Sequence, residues 1–507
     1  MYNNTIEFLY NTIKRVPQKI ALVEKNNKVS FSELFNTAYI LFKKLAIYYN
    51  FNKPVIVFLP KSISALIAFT GIILSGNIYV PLDISIPEKR IKQIINSIDP
   101  FAVISLPAFK DDIIKYINED KIIYMPNTEK ETISIEEKIQ ECREFTDKII
   151  DLDPCYIIHT SGSTGIPKGV VIPHRGVIDY ITWAINTLDV NENEVIGNQA
   201  PLYFDNSVLD IYLCWATGAE LHLIPEESFS FPVKLIEYLN NNRINFIFFV
   251  QSVLISISIL KLLKKDSLPY LKKIIFAGEV MPSKHLSYWQ QNLPNRIFVN
   301  LYGPTEITVD CTYFFIDKIY NPDESIPIGY PCKNSNILIL TENNEKAKEN
   351  ENGELCVRGS SLALGYWKNK EKTNEVFTQN PLHENYLDRI YRTGDLVYLN
   401  NKRQIIFVGR KDSQFKHSGY RIEAGEIEAA TLTIPNIEKC CVLYNRGKKE
   451  ITLFFESIEN LSDLFIKKCL LNILPKYMVP RRIINLAQLP LTANKKVDRK
   501  TLEKEYF

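Results

Sequence analysis

Runs of apolar residues four to six long, separated by stretches with helical spacing, set the first expectation for this chain. Pro54–Leu59 is a buried-strand run, Ile63–Leu74 a mostly apolar helix closed by Gly76, and Ile78–Pro81 the next strand. Upstream, Val29–Leu34 predicts a strand end passing into a helix, with Ser32 as its N-cap and Leu34, Ala38 and Leu41 on one face. The alternation recurs as helix Val233–Asn240, strand Phe246–Val250, helix Leu254–Leu263, strand Lys273–Ala277, helix Ser283–Asn292 and strand Ile297–Leu301. Strands alternating with helices predict an α/β protein whose parallel-type sheets are covered by helices on both faces. In such sheets ligands collect beyond the carboxyl ends of the strands. That rule points to Thr160 onward, to Gly278-Glu279 and to Asn300–Glu306.

After the charged turn Thr341–Asn352, short β elements at Gly353–Arg358 and Ile405–Val408 predict a separate β-rich layer. The boundary falls at residues 409–412: a core over 1–408, a hinge over 409–412, and a small α+β domain over 413–507. The last part holds a strand pair near Cys440–Tyr444 and Ile451–Phe455, and a helix over Leu461–Leu474. The total of 507 residues exceeds what one hydrophobic core organises.

Composition removes several function classes. With 60 Lys+Arg against 58 Asp+Glu, the net charge of +2 argues against a nucleic-acid or membrane footprint. No apolar run reaches membrane-spanning length and the start lacks a signal-peptide pattern, so a cytoplasmic location is expected. Nine cysteines without paired metal spacing predict reduced, mostly buried thiols.

The stretch Thr160–Gly169, TSGSTGIPKG, follows the strand-like run Tyr156–Ile158. Gly162, Gly165 and Gly169 let backbone amides converge on an anion, Ser161, Ser163 and Thr164 add hydroxyl donors, and Lys168 adds a mobile charge. A Walker A loop would need Gly-Lys-Ser/Thr, which is absent here. The competing reading is a solvated Ser/Gly linker, which a preceding buried strand argues against.

Seven motifs in order then resemble the adenylate-forming superfamily, and more narrowly the adenylation domains of nonribosomal peptide synthetases and D-alanine:carrier-protein ligases. They are Thr160–Gly169, FDNS at Phe204–Ser207, NLYGPTE at Asn300–Glu306, YRTGDL at Tyr391–Leu396, Gly409–Glu428, LPKYMVP at Leu474–Pro480 and NKKVDR at Asn494–Arg499. The resemblance implies ATP and Mg²⁺, and a small C-terminal domain that is mobile between two half-reactions. By it, Thr160, Ser161, Gly162, Ser163, Thr164, Gly165 and Lys168 hold the triphosphate, and Glu306 binds Mg²⁺. Asn300, Tyr302, Gly303, Thr305, Asp395 and Arg410 are similar to the nucleotide contacts. Lys496 resembles the lysine that bridges carboxylate and ribose or phosphate oxygens, although Lys495 stands where the family usually has glycine.

Asp205 resembles the carboxylate that pairs with a substrate ammonium, a contact that acyl- and aryl-CoA ligases do not need. Its alternative is to cap a helix starting near Val208, just as Tyr302 has a core alternative and Asp395 a turn alternative. The side-chain pocket by resemblance comprises Asn206, Leu209, Phe249, Ile275, Ala277, Gly278, Leu301, Val309 and Asp310. Bulky Leu209, Phe249 and Leu301 favour alanine, glycine or serine; Ala277 replaces the cysteine typical of D-alanine ligases. A buried Asp310 needs a substrate hydroxyl or amine, or an internal hydrogen bond. Asp412 resembles the hinge, and Lys416, Gly419 and Tyr420 the segment that lines a phosphopantetheine tunnel, which implies a separate carrier protein as partner. The competing classes are an acyl- or aryl-CoA ligase and a non-catalytic adenylate-binding regulator.

Overall fold

The computed structural model describes residues 2–507 apart from 127–132, 163–165, 323, 458, 460 and 492–496. It divides into two compact units, one made of Met1–Asp83, Ile98–Ile158 and Gly169–Gly409, the other of Ile84–Ser97, His159–Lys168 and Arg410–Phe507.

The larger unit is built on two mainly parallel sheets and one antiparallel sheet, as counted among the described residues. In the nine-stranded sheet, Val195–Asn198, Phe246–Val250, Lys273–Ala277 and Ile297–Tyr302 run parallel and side by side. The seven-stranded sheet centres on Pro54–Val57 and Ile78–Pro81, whose residues are all buried, as a sheet covered on both faces requires. In a five-stranded sheet, Ser335–Leu340, Gly353–Gly359, Arg389–Leu399 and Phe377–Gln379 pair antiparallel, the β-rich layer expected from residue 340 onward. Two apolar clusters flank the nine-stranded sheet. One gathers Tyr212, Ile275, Ala277, Val299 and Leu301, the other Phe249, Phe276, Trp289 and Phe298. The α/β fold class agrees with the sequence expectation.

Helix Ile63–Leu74 and strands Ile78–Pro81, Phe246–Val250 and Lys273–Ala277 match their expected bounds. Two local expectations are corrected. The helix after Val29 runs Phe31–Ala46 with Ser30, not Ser32, as its N-cap; Ser30 and Glu33 form a reciprocal capping box, for which Ser32 has no glutamate three residues on. The helix expected at Leu254–Leu263 instead spans Gln251–Ile259, and Lys261 with φ +50° turns the chain away.

In the smaller unit, hairpin Gln414–His417 and Tyr420–Glu423 precedes helix Ala424–Thr431. Strands Lys439–Asn445 and Glu450–Glu456 pair antiparallel, and Arg482–Asn485 joins the second in parallel. Ile422, Ile427, Leu453, Phe455 and Ile466 form its core. The nine cysteines are free thiols, seven buried and two half-buried. No described helix is long and apolar enough to cross a membrane.

Two histidines, His174 buried and His159 half-buried, tie the fold to pH. His174 accepts from the Thr5 amide at 3.2 Å through Nδ1, and burial pushes its pKa to about 3; burial and Arg90 do the same to His159. Below the ordinary value of 6.5 the unfolded chain binds protons that these rings refuse. Stability therefore falls as pH falls, by up to about 1.4 kcal/mol per pH unit for each ring. His174→Gln is expected to remove one such share, measured as the slope of unfolding free energy between about pH 4 and 6. An unchanged slope would show that His174 takes no part in acid unfolding.

Candidate active site

Parallel strands bring their carboxyl ends to one edge, so the segments after Asn198, Val250, Ala277 and Tyr302 gather there. Asp205 stands at the N-cap position of helix Asn206–Thr217, yet its side chain makes no capping hydrogen bond, so the capping alternative lacks its defining contact. It is nearly buried, at 9% exposure. Leu209, Ile275, Ala277, Leu301 and Val309 belong to one apolar cluster, while Asn206 shares a helix with Leu209.

Phe249 does not join them. It pairs in register with Phe276 and lies in the opposite cluster, whereas Phe248 pairs with Ile275 and Val250 with Ala277. Successive strand residues face opposite sides, so a one-residue shift takes the side chain through the sheet. Strand parity relative to Ile275 and Ala277 was the signal that could have excluded it. Gly278 has φ +110°, and a side chain there would approach Val250 and the Gln251 amide oxygen, which accepts from the Glu279 amide at 2.8 Å. Val250 and Gln251 are thus neighbours of Gly278, a residue of the expected pocket, that sequence reasoning missed.

Asp310 is buried and accepts a hydrogen bond from the Tyr180 hydroxyl at 2.7 Å. Burial and this carboxylate push the Tyr180 phenol well above its ordinary range, so it remains a neutral donor. Of the three ways to satisfy a buried Asp310, the internal one is present.

Among the expected nucleotide contacts, Tyr302 and Asp395 come together directly, the phenol donating to the carboxylate. Burial and Asp395 push the Tyr302 phenol well up. Asp395 also takes its place through its amide, which donates to Thr393 Oγ1 at 3.0 Å. Asn300 is buried and donates to the Pro327 carbonyl at 2.8 Å. Gly303 leaves room for the Val309 carbonyl and Asp310 Cα, which a Cβ would strike. Thr305, Glu306 and Ile307 form a short 3₁₀ turn after it. Glu306 is fully buried and accepts from the Tyr366 hydroxyl at 2.8 Å, a partner the sequence did not suggest.

Most of the rest belongs to the smaller unit. Lys168 and Gly169 open strand Lys168–Pro173 instead of lying in the loop. Lys168 is no mobile charge here: its Nζ pairs with Glu423 Oε1 at 2.9 Å, both side chains about nine-tenths buried, and Gln414 also donates to that oxygen at 2.8 Å. Ser161 Oγ donates to the Arg421 carbonyl at 2.8 Å. Thr160 ends its strand and Gly162 follows Ser161, where a Cβ would strike the Ile166 carbonyl. Arg410 forms a two-point ion pair with Asp412, at 2.7 and 2.8 Å; burial raises the Asp412 carboxyl, and Arg410 outweighs it to hold it low. Lys416 lies on the hairpin strand Gln414–His417. Ser418 and Gly419, with φ of +52° and +84°, form its tight turn, so Gly419 has a structural reason of its own. The expected roles of Ser163, Thr164, Gly165, Lys495 and Lys496 fall outside the described residues.

An α/β unit with a Tyr–Asp pair and a buried glutamate after its parallel strands, together with a small α+β unit, is the build of an adenylate-forming enzyme. The AMP-binding enzyme family matches residues 9–367, and the chain belongs to it. A D-alanine--D-alanyl carrier protein ligase of Staphylococcus haemolyticus is 32% identical, over 96% of this chain and 96% of its own length. Gramicidin S synthase 1 of Brevibacillus brevis is 30% identical over 99% of this chain, which spans only 44% of that synthase. The solved adenylation domain AlmE of Vibrio cholerae, in complex with glycyl-adenosine-5'-phosphate, shares the fold with a TM-score of 0.85 at 22% identity, over 100% of this chain and 98% of that one.

Proposed function

We propose that this enzyme uses ATP to activate a small amino acid as its aminoacyl adenylate and passes it to the phosphopantetheine thiol of a separate carrier protein. The observation that carries the reading is Asp205: a nearly buried carboxylate at the start of a helix that it does not cap, the helix that brings Leu209 into the apolar cluster shared by Ile275, Ala277, Leu301 and Val309. A desolvated carboxylate selects for an ammonium, and the apolar wall selects for a short side chain. Tyr180 already supplies Asp310 with one internal hydrogen bond, and alanine, glycine and serine are the candidate substrates.

In the first step a carboxylate oxygen of the amino acid attacks the α-phosphorus, a new O–P bond forms, and the α–β phosphoanhydride breaks to release pyrophosphate. In the second, the carrier thiolate attacks the acyl carbon and AMP leaves; the thiol proton goes to solvent. Binding of the triphosphate has to replace Glu423 as the counter-ion of Lys168. Tyr302 and Asp395 supply an aromatic face and a hydroxyl acceptor for the nucleoside. Glu306, a buried carboxylate, is the residue that would hold Mg²⁺, whose charge would offset that of the triphosphate. Lys496 is the candidate bridging cation of the first step, and Asp412, Lys416 and Gly419 belong to the segment that serves the second.

The test is amino-acid-dependent exchange of pyrophosphate into ATP over the common L- and D-amino acids and glycine, with acetate, benzoate and CoA as controls. Exchange confined to one or a few small amino acids is expected. Exchange supported by a carboxylic acid without an amine would replace this reading with that of an acyl- or aryl-CoA ligase.

A further inference from the structure

Thr308 and Val309, consecutive in the pocket wall, are the two β-branched residues with positive φ among the described residues, at +59° and +69°. β-Branched side chains avoid this region strongly. The Asp310 amide donates to the Thr308 carbonyl at 3.0 Å, which closes a γ-turn of the rare, strained kind around Val309. Such a turn persists only where its surroundings over-determine it.

The surroundings are specific. Thr308 Oγ1 donates to the Ser361 carbonyl at 2.8 Å, and the Cys311 amide to the Tyr302 carbonyl at 2.8 Å. The remaining support comes from helix His174–Thr187. Gly176 faces Thr308 so closely that a Cβ would strike its Oγ1, and Tyr180, four residues on and therefore on the same helix face, donates to Asp310. Tyr180 itself is fixed by stacking on Trp183, with ring centres 5.7 Å apart. The helix follows directly from strand Lys168–Pro173.

We propose that Tyr180, with Gly176, is a positioning residue for the amino-acid pocket: its hydroxyl holds Asp310 and thereby keeps the strained Thr308–Asp310 wall in the shape that sets side-chain selectivity. The substrate half of this inference rests on the amino-acid-activation reading; the clamp on the turn does not. Removing the Tyr180 hydroxyl vacates one acceptor position on buried Asp310 that a substrate hydroxyl can fill, so selectivity shifts toward serine.

Tyr180→Phe removes the hydroxyl and keeps the ring. In pyrophosphate exchange the KM for the preferred amino acid is expected to rise about tenfold, the size of one lost hydrogen bond to a charged group, with the KM for ATP within about twofold of its starting value. The serine-to-alanine ratio of kcat/KM should rise by a similar factor. Amide hydrogen exchange over residues 305–312, measured without substrate, should quicken several-fold in Tyr180→Phe and, by the steric route, in Gly176→Ala. Unaltered exchange of that segment in both variants, or parallel rises in both KM values, would overturn the positioning role. If the unmodified protein activates no amino acid while the segment still loosens in both variants, the activity reading falls and the clamp stands.

Discussion

Asp205→Asn is expected to cut amino-acid activation by about 10²–10³-fold while leaving ATP binding intact, because removing one partner of a buried charge pair costs about 3–4 kcal/mol. Asparagine is the informative replacement. It caps helices as well as aspartate does, so a purely structural Asp205 would tolerate the change with little loss. The Tyr302–Asp395 pair lies on strands Ile297–Tyr302 and Arg389–Leu399, separate from the helix that Asp205 precedes. Amino-acid-dependent pyrophosphate exchange and direct ATP binding, measured on one preparation, separate the two roles. Equal losses of affinity for amino acid and ATP would make Asp205 a fold position.

The second large effect concerns stability. Arg90 pairs with Glu426 in the smaller unit, with side-chain exposures of 8% and 1%. Burial holds the Glu426 carboxyl above its ordinary range, with Arg90 pulling it back in part. Arg90→Met strands that carboxylate and is expected to cost about 3–5 kcal/mol, whereas Arg90→Met with Glu426→Leu should recover most of the loss. The single variant should regain stability toward acid pH, where the raised carboxyl protonates. Urea unfolding followed by hydrogen exchange in helix Ala424–Thr431 reads all three proteins. A double variant as unstable as the single one would show that packing, not charge, decides this contact.

Where local signals were strong, the sequence located elements to the residue. Helix Ile63–Leu74 sits between a capping Ser62 and Gly76 with φ +71°, and strand Lys273–Ala277 is followed by Gly278 with φ +110°. Where two local signals competed, the weaker one was mistaken for the stronger: Ser32 resembles a cap until the glutamate three residues after Ser30 is weighed. The end of helix Gln251–Ile259 had no punctuating residue at all, since the apolar pattern runs on through Leu263 while Lys261 takes a left-handed φ. The candidate site was legible as motifs but not as contacts. Phe249 shows the cost of one residue of strand parity. Tyr180 lies 130 residues from Asp310 and Tyr366 60 from Glu306, and no periodicity spans such distances. Lys168 could not be seen as ion-paired, because Glu423 stands 255 residues away in the chain.

The discontinuity of the smaller unit has a consequence for biosynthesis. Arg90 and Glu426 are 336 residues apart. At about 5–20 residues per second, a ribosome needs roughly 20–70 s to deliver the second after the first. During that interval Ile84–Ser97, joined later by His159–Lys168, lacks the complete stretch from Arg410 onward that finishes their unit. Until Glu426 is made, a hydrated arginine at position 90 carries no desolvation cost; that cost falls due only in the folded pair. Holding such a segment soluble is easier with an arginine than with the apolar residue that would pack as well in the finished protein, which gives the nascent chain a use for an ion pair that the folded enzyme could do without.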